Sequence, residues 1–276
     1  MYRYRAFYVV LFFCMEAFSD QWSGIDYAKN SSVQLSHAEH LLSNLSLQGD
    51  EGILDVGCGD GKITALLAKR VPQGKVVGLD PSFSMLEKAR GDHNDINLIF
   101  CEGSAENFTF EEQFDHVIAI HVMHWIKEQK SALENIYHHL APEGHVHLIL
   151  APSKEGLPFY KALQKTIKTW EEDFTGFINP QQVFDMETYR KLMVEAGFQI
   201  ETIHYVLHES IHESKEKLQA WIEQWLSYGK HLPIEKRPPF FTELLRNYLI
   251  EMRLPLDTSD KVAWNEYVLI VEGKKI

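Results

Sequence analysis

Basic residues are scarce in this chain. Its 276 residues include 27 lysines and arginines against 39 aspartates and glutamates, which gives a formal net charge of −12 at pH 7. Binding to nucleic acid depends on clustered lysine and arginine, and the sequence contains no basic run. We therefore expect no nucleic-acid partner, and the charge gives no information on the oligomeric state.

Cysteines are also few, and their spacing is not that of a metal site. The three of them, Cys14, Cys58 and Cys101, form an odd set without the short repeats of a zinc knuckle. Such a composition suits the reducing cytosol, so we expect a cytoplasmic protein without a metal ion. Cys58 is expected to be a small packing residue and not a nucleophile.

Long apolar runs are missing as well. The run from Ala6 to Met15 follows two arginines and resembles the start of a signal peptide, but no small-x-small cleavage site follows it. It is too short to span a bilayer as a helix. A start at Met15, an export or anchor signal and a packed N-terminal helix all remain open. Residues 1–24 are therefore an apolar leader of uncertain status, and no firm membrane partner is expected.

Strand and helix patterns alternate between residues 50 and 150. This alternation predicts βαβ units and a parallel sheet that helices cover on both faces. From residue 153 onward the chain is richer in aromatic residues and mostly helical, which predicts a helical insertion over the end of the sheet. The strands are expected at 52–56, 75–79, 96–101, 114–120, 145–150, 199–207 and 266–272.

The segment ILDVGCGDGK, residues 53–62, places three glycines directly after the first predicted strand. Ligands of doubly wound sheets bind at the carboxyl ends of the strands, where glycine lets them approach the backbone. A dinucleotide favours G-x-G-x-x-G, but Lys62 stands where its third glycine would be. A nicotinamide-dependent oxidoreductase is therefore the weaker alternative, and a purely structural turn is another.

Two acids at strand ends favour a different ligand, S-adenosylmethionine. This molecule has no phosphate, but it carries a cationic ammonium and a cationic sulfonium, which an acid such as Asp55 would attract. Asp80 ends the next predicted strand, where a ribose diol would need a carboxylate. Asp80 could instead be a turn acid before Pro81.

Four segments in register carry a family resemblance: ILDVGCGDGK, VVGLDPSFSMLEKAR, EGSAEN and FDHVIAIHVMHWI. Together they resemble class I S-adenosylmethionine-dependent methyltransferases, over residues 25–152 well and over the rest loosely. Within that family, the chain resembles the small-molecule carboxyl methyltransferases that act on juvenile hormone acid, trans-aconitate or the malonyl carrier protein. YAKNSSVQ and NIYHHLAPEG are most similar to the juvenile hormone acid group.

The resemblance implies a Rossmann-like fold, α/β, with a seven-stranded, mostly parallel sheet, helices on both faces and a helical lid insertion. It implies a cofactor-binding core at residues 25–152, and a lid or acceptor region with the last sheet strands at 153–276. The methionine part of the cofactor would lie against Asp55, Gly57, Cys58 and Gly59. Asp80 would hold the ribose, and the adenine would lie among Pro81, Met85, Ser104, Ala105 and Glu106.

At the acceptor side, the resemblance places His121 beside the methyl group, and Gln34 and Trp125 against the acceptor carboxylate. Many relatives have aspartate at the position of Ser104, so one charge-assisted hydrogen bond to the adenine is replaced by a neutral one. Ordinary packing or solvation is the alternative reading of Gln34, His121 and Trp125.

The expected activity is methylation of the carboxylate oxygen of a small, partly apolar acid. A carboxylate is ionised at pH 7 and needs no general base, and the sequence offers no convincing base beyond His121 and His124. N- or C-methylation on the same fold is the alternative, and a protein that binds the cofactor without catalysis is another.

The segment HESIH, residues 208–212, matches the zinc-protease pattern H-E-x-x-H. That chemistry needs both histidines on one helical face, whereas the preceding residues have the pattern of a strand. We therefore expect HESIH on a strand-to-helix turn, as polar surface residues without zinc.

Overall fold

The computed structural model describes residues 32–151 and 157–276. The leader at residues 1–24 lies outside these ranges, so its expected status stays a prediction. Within the described ranges, no helix has both the length and the apolar character needed to cross a bilayer.

The described residues form a seven-stranded sheet with the order β3–β2–β1–β4–β5–β7–β6. Strands β1 to β5 are parallel, and β7 runs antiparallel between β5 and β6. The expected Rossmann-like, mostly parallel sheet is thereby confirmed. The strands are β1 Gly52–Val56, β2 Lys75–Asp80, β3 Leu98–Glu102, β4 Phe114–Ile120, β5 Leu140–Leu150, β6 Gln199–His212 and β7 Val262–Lys274.

Helices cover both faces of this sheet because successive strand residues point to opposite sides. In β1, Ile53 packs with the helices α1 Ser32–Asn44 and α2 Lys62–Arg70, whereas Leu54 packs toward the opposite face. That face is covered by α4 Gln129–His139. Helix α3, Phe83–Asp92, lies between β2 and β3, and the Ser82 hydroxyl caps it by accepting from Met85 N.

The second half of the chain adds five helices to the described structure. They are α5 Pro158–Thr169, α6 Met186–Glu195, α7 Lys215–Trp225, α8 Ser227–His231 and α9 Arg237–Glu251. Helix α6 packs on the sheet, while α5, α7 and α9 share a separate aromatic cluster with Trp264 of β7. Farther along β7, Leu269 and Val271 lie in the sheet core. One strand therefore joins the helical layer to the sheet.

Three strands, β5, β6 and β7, are several residues longer than the sequence predicts. Strand β7 runs from Val262 to Lys274 and not only from residue 266 to residue 272. Strand β5 begins at Leu140 and not at residue 145, and it continues through Gly144, a residue type that commonly interrupts regular structure. Strand β6 continues to His212 and not only to residue 207, because His212 still pairs with Val262 of β7. The prediction that HESIH forms a strand-to-helix turn is therefore wrong, since the whole segment lies within β6.

Candidate functional site

The glycine turn connects β1 to α2 through residues with a left-handed backbone. Gly57, Gly59 and Gly61 have φ angles of 73°, 54° and 77°, a region that L side chains rarely occupy. The amides of Gly57 and Cys58 both donate to the Leu79 carbonyl, at 2.6 and 3.0 Å. These bonds fix the turn against the carboxyl end of β2.

Two buried carboxyl groups meet at this turn. Asp55 and Asp80 are only 3% and 8% exposed. Asp80 accepts from Gly59 N at 2.9 Å through Oδ2 and from Ser82 N at 2.8 Å through Oδ1. The Thr64 hydroxyl donates to Asp55 Oδ2 at 2.7 Å. The ends of β1 and β2 therefore present two oriented acids side by side.

These acids are costly to ionise in the protein alone. Burial raises the pKa of Asp55 to about 7; the Thr64 hydrogen bond lowers it in part, and the charge of Asp80 raises it. Burial likewise raises the pKa of Asp80. Among the described residues, no lysine, arginine or histidine forms an ion pair with either carboxylate. A bound cation would offset this cost, so the turn fits a ligand with positive charge.

The residues expected at the adenine lie next to Asp80. The loop after β3 is fixed there by Gly103 N, which donates to the Asp80 carbonyl at 3.2 Å. In that loop the Ser104 hydroxyl donates to Asn107 Oδ1 at 2.9 Å, and the Ala105 side chain is buried in the sheet core. Around them, Pro81 is exposed, Met85 is buried on α3 and Glu106 is half-buried.

Cys58 packs inward from the turn. It is buried in a cluster with Leu86, Ala89 and Phe100. Burial raises the pKa of the Cys58 thiol, and the nearby carboxylates raise it further. A thiol in this state is a poor nucleophile, so the cofactor would meet the Cys58 backbone and not a reactive sulfur.

On the other side of the turn, β4 ends in a strained histidine. His121 has a φ of 57°, and its amide donates to the Ile149 carbonyl at 2.7 Å. Burial lowers the pKa of His121 to about 3, helped by His124 and His208, and lowers that of His124 to about 4. Both imidazoles are therefore neutral at pH 7. The half-buried Trp125 follows in a short 3-10 turn, with its ring 5.5 Å from that of His124.

Comparison with known proteins agrees with this geometry. Residues 53–144 match the family model described as a methyltransferase domain. The chain is 29% identical over 201 residues to the juvenile hormone acid O-methyltransferase of Bombyx mori, over 65% of this chain and 72% of that protein. It is 26% identical over 246 residues to the trans-aconitate 2-methyltransferase of Escherichia coli O45:K1, over 87% of this chain and 93% of that protein.

Residues 53–144 therefore form a methyltransferase domain, and the chain is similar to S-adenosylmethionine-dependent methyltransferases. A crystal structure from Bacillus halodurans C-125, of a protein designated a methyltransferase, shares the fold. Its TM-score is 0.62 at 18% identity, over 87% of this chain and 99% of that one. The expected enzyme class and the cofactor S-adenosylmethionine are confirmed.

Of the expected acceptor residues of this methyltransferase, His121 and Trp125 lie near one another through His124. Gln34 lies on α1, and its side chain is outside the described atoms. The roles expected for all three, and for the cofactor-site residues named above, remain predictions.

Sequence reasoning missed His37, although it follows Gln34 on α1 by only three residues. Its Nδ1 lies 2.7 Å from His121 Nε2. The His208 ring packs against the His37 ring with a centroid distance of 4.0 Å. His208 of HESIH therefore lies beside the candidate site. Within the described residues, no group of three potential ligands is arranged to hold a metal ion.

The raised pKa of Asp55 predicts a pH dependence of cofactor affinity. A cation binds best to ionised Asp55, so the Kd for S-adenosylmethionine should rise up to about tenfold per pH unit below about 7. The stability of the protein without cofactor depends on pH in the opposite direction. Folded Asp55 then holds its proton more tightly than the unfolded chain does between pH 3.8 and about 7, so it lowers the free energy of unfolding as pH rises through that window.

Calorimetric titration with S-adenosylmethionine between pH 5.5 and 8 measures this dependence. Asp55→Asn should bind weakly at every pH and show a flat profile. Asp60→Asn is the matched control, because Asp60 is a buried acid of the same turn that pairs with Lys62 at 3.0 Å. An unchanged slope in Asp55→Asn would show that another group titrates.

Proposed function

We propose that this methyltransferase transfers the methyl group of S-adenosylmethionine to the carboxylate oxygen of a small, partly apolar acid. The observation that supports it most is the neutral state of the histidines at the end of β4. Imidazoles whose pKa lies at about 3 and about 4, His121 and His124, cannot efficiently take a proton from an amine or a hydroxyl group at pH 7. An acceptor that is already ionised, such as a carboxylate, needs no such base.

The same imidazoles suit a carboxylate in another way. A neutral ring carries one N–H donor, and a donor next to a bound carboxylate favours its ionised form. The names of the Bombyx mori and Escherichia coli relatives, which specify juvenile hormone acid and trans-aconitate, support an acid as acceptor.

In this proposal the cofactor lies across the ends of β1 and β2. Its ammonium and sulfonium lie near Asp55, where two buried acids have no basic partner among the described residues. Each Asp80 oxygen accepts one backbone N–H and retains a lone pair for a ribose hydroxyl. Gly57, Cys58 and Gly59 would contact the methionine part, and Pro81, Met85, Ser104, Ala105 and Glu106 the adenine.

The bound cofactor supplies a methyl group that its sulfonium already activates. What this chain contributes is position: the turn holds the donor, and His121, Trp125 and Gln34 hold the acceptor in line with it. The helical layer formed by α5, α7 and α9 would act as the lid within residues 153–276. Its aromatic cluster is apolar, which suits an acceptor with an apolar body and one acid group.

Trp125→Ala should raise KM for an acid acceptor by about tenfold, because it removes apolar contact worth roughly 1–2 kcal/mol and a ring beside the sulfonium. Gln34→Ala should have a smaller effect in the same direction. The measurement is methyl transfer from labelled cofactor to a panel of small acids, each paired with its amide and its amine.

Trp170→Ala is the matched control, since Trp170 is equally half-buried but its Nε1 donates to Glu243 in the helical layer. Labelled ester from the acid alone supports the proposal. Labelled amine would assign N-methylation instead, and unchanged turnover of every acid in Trp125→Ala and Gln34→Ala would remove these residues from the acceptor site.

A further inference from the structure

A polar cluster lies next to His121. It joins His37 of α1, His208 of β6 and Glu266 of β7. His37 Nδ1 is 2.7 Å from His121 Nε2, and His37 Nε2 is 3.9 Å from Glu266 Oε1. His208 and Glu266 are register partners, so both face α1 from the same place in the sheet. The cluster therefore runs from a carboxyl group to the residue at the end of β4.

Glu266 is poorly compensated in this position. Its Oε1 is buried and has no hydrogen-bond partner among the described residues. Burial raises the pKa of Glu266 to about 7, and the nearby Trp264 side chain lowers it in part. The titratable groups that face it are His37, His208 and Tyr160, whose pKa burial and Glu266 together raise to about 12. Since no lysine or arginine in the described chain pairs with it, Glu266 exchanges a proton easily near neutral pH.

The proton on Glu266 decides the direction of the hydrogen bonds that follow. Ionised Glu266 attracts the N–H of His37 to Nε2, so His37 Nδ1 must accept from His121 Nε2. Protonated Glu266 donates to His37 Nε2 after the gap of 3.9 Å closes by about 1 Å, which a side-chain rotation provides. His37 Nδ1–H then donates to His121 Nε2, and the single proton of His121 moves to Nδ1.

His121 Nδ1 is the ring nitrogen that remains for an acceptor, because Nε2 lies against His37 Nδ1. No described residue forms a hydrogen bond with it, and its residue is the first after β4, directly before Val122, which contacts the glycine turn. With the proton on Nδ1 this atom donates a hydrogen bond; without it, a lone pair repels an anion. Ionised Glu266 would also repel a bound carboxylate through its own charge.

We propose that Glu266 is a positioning residue which, when protonated, directs the His37–His121 hydrogen bonds so that His121 Nδ1–H binds the acceptor carboxylate. This inference rests on the proposed carboxylate acceptor. Binding of the acid is coupled to uptake of one proton from solvent by Glu266. In the transfer itself, the C–S bond breaks and the C–O bond forms, and no proton moves.

The test is the pH profile of kcat/KM for an acid acceptor between pH 6 and 9, with S-adenosylmethionine saturating at each pH so that Asp55 does not contribute. In the unaltered enzyme kcat/KM should fall above about pH 7, by up to about tenfold per unit. Glu266→Gln should remove this fall, because the amide N–H donates to His37 at every pH. Glu266→Ala should lower kcat/KM about tenfold or more throughout, since the carboxyl group that directs the proton of His37 is then missing.

Glu272→Gln is the matched control. Glu272 lies on the same strand and also faces a histidine, with Oε1 3.6 Å from His147 Nδ1. It lies near the opposite end of β7. It should keep the profile of the unaltered enzyme. Calorimetry with S-adenosylmethionine should give the same Kd for all variants, and this shows that each one is folded.

A Glu266→Gln enzyme that still loses activity above pH 7, or that is as impaired as Glu266→Ala, overturns the inference while acid methylation itself stands. If cofactor binds but no acid is methylated by any variant, both the proposed function and the inference fail. Should Glu266→Ala not fold, the profile of Glu266→Gln decides alone.

Discussion

Asp80→Ala should lower the affinity for S-adenosylmethionine by about 100-fold or more. The carboxylate accepts from Gly59 N and from Ser82 N, so its removal leaves two backbone donors unpaired and releases the glycine turn from β2. Hydrogen bonds to a charged group are worth roughly 1.5–3 kcal/mol each, and loss of the proposed ribose contact adds to this. Loss of two such bonds costs about 3 kcal/mol or more, which is shared between cofactor binding and the ordering of the glycine turn.

Calorimetry measures the effect, and two controls separate binding from folding. Asp80→Asn keeps the shape and one acceptor oxygen, so its loss should be intermediate. Asp115→Ala removes another carboxylate that accepts a backbone N–H, from Gly52 at 2.8 Å, but at the amino end of β1. It should bind cofactor normally. Equal affinity in Asp80→Ala and the unaltered enzyme would refute the assigned position of the cofactor.

The glycine turn and the two acids beside it could be predicted from sequence because they are local in the chain. A buried strand, a glycine turn and an acid such as Asp55 lie within ten residues of one another, and Asp80 repeats the pattern one βα unit later. Parallel strands bring their carboxyl ends together, so spacing along the chain became proximity in space. Strands β1 and β4 have the predicted bounds, and β2 extends one residue further, to Asp80.

The predicted bounds of β6 were too short because polar residues point inward at its end. In the last part of β6, His208, Ser210 and His212 alternate with more exposed neighbours, but because they are polar the alternation carries no hydrophobic signal. At β5, Gly144 has the sequence signature of a helix end, while Glu143 takes a φ of 66° and lets the strand start early.

The histidine cluster around His37 has no local signature in the sequence. His37 and His121 are 84 residues apart in the chain, yet their nitrogens are 2.7 Å apart. Glu266 reaches the same place from the last strand, because β7 inserts antiparallel between β5 and β6. Only the tertiary fold brings a carboxyl group next to these histidines, so no motif in the sequence indicates this titrating cluster.

Gly57→Ala should be the most disruptive single-atom change in the turn. Gly57 has a φ of 73°, and a Cβ there would lie 2.1 Å from Val122 Cγ2. The left-handed backbone costs an alanine roughly 1–2 kcal/mol, and overpacking costs roughly 1–3 kcal/mol more. We expect the free energy of unfolding to fall by about 2–5 kcal/mol in urea titrations. Cofactor affinity should fall as well, because a shift of Val122 also moves the preceding His121, which is expected beside the methyl group.

Gly91→Ala is the matched control, because a Cβ at Gly91, in the last turn of α3, has no atom within 4 Å. Its stability should be unchanged or slightly higher, as expected for glycine to alanine in a helix. Adding Val122→Ala to Gly57→Ala removes the two closest methyl contacts and leaves the backbone strain and a contact of 3.0 Å to the Cβ of residue 122. The double variant should therefore recover the packing share of the loss, a coupling that a double-mutant cycle measures. If the two effects simply add, the glycine at this position is required by backbone conformation or by the cofactor, and not to make room for Val122.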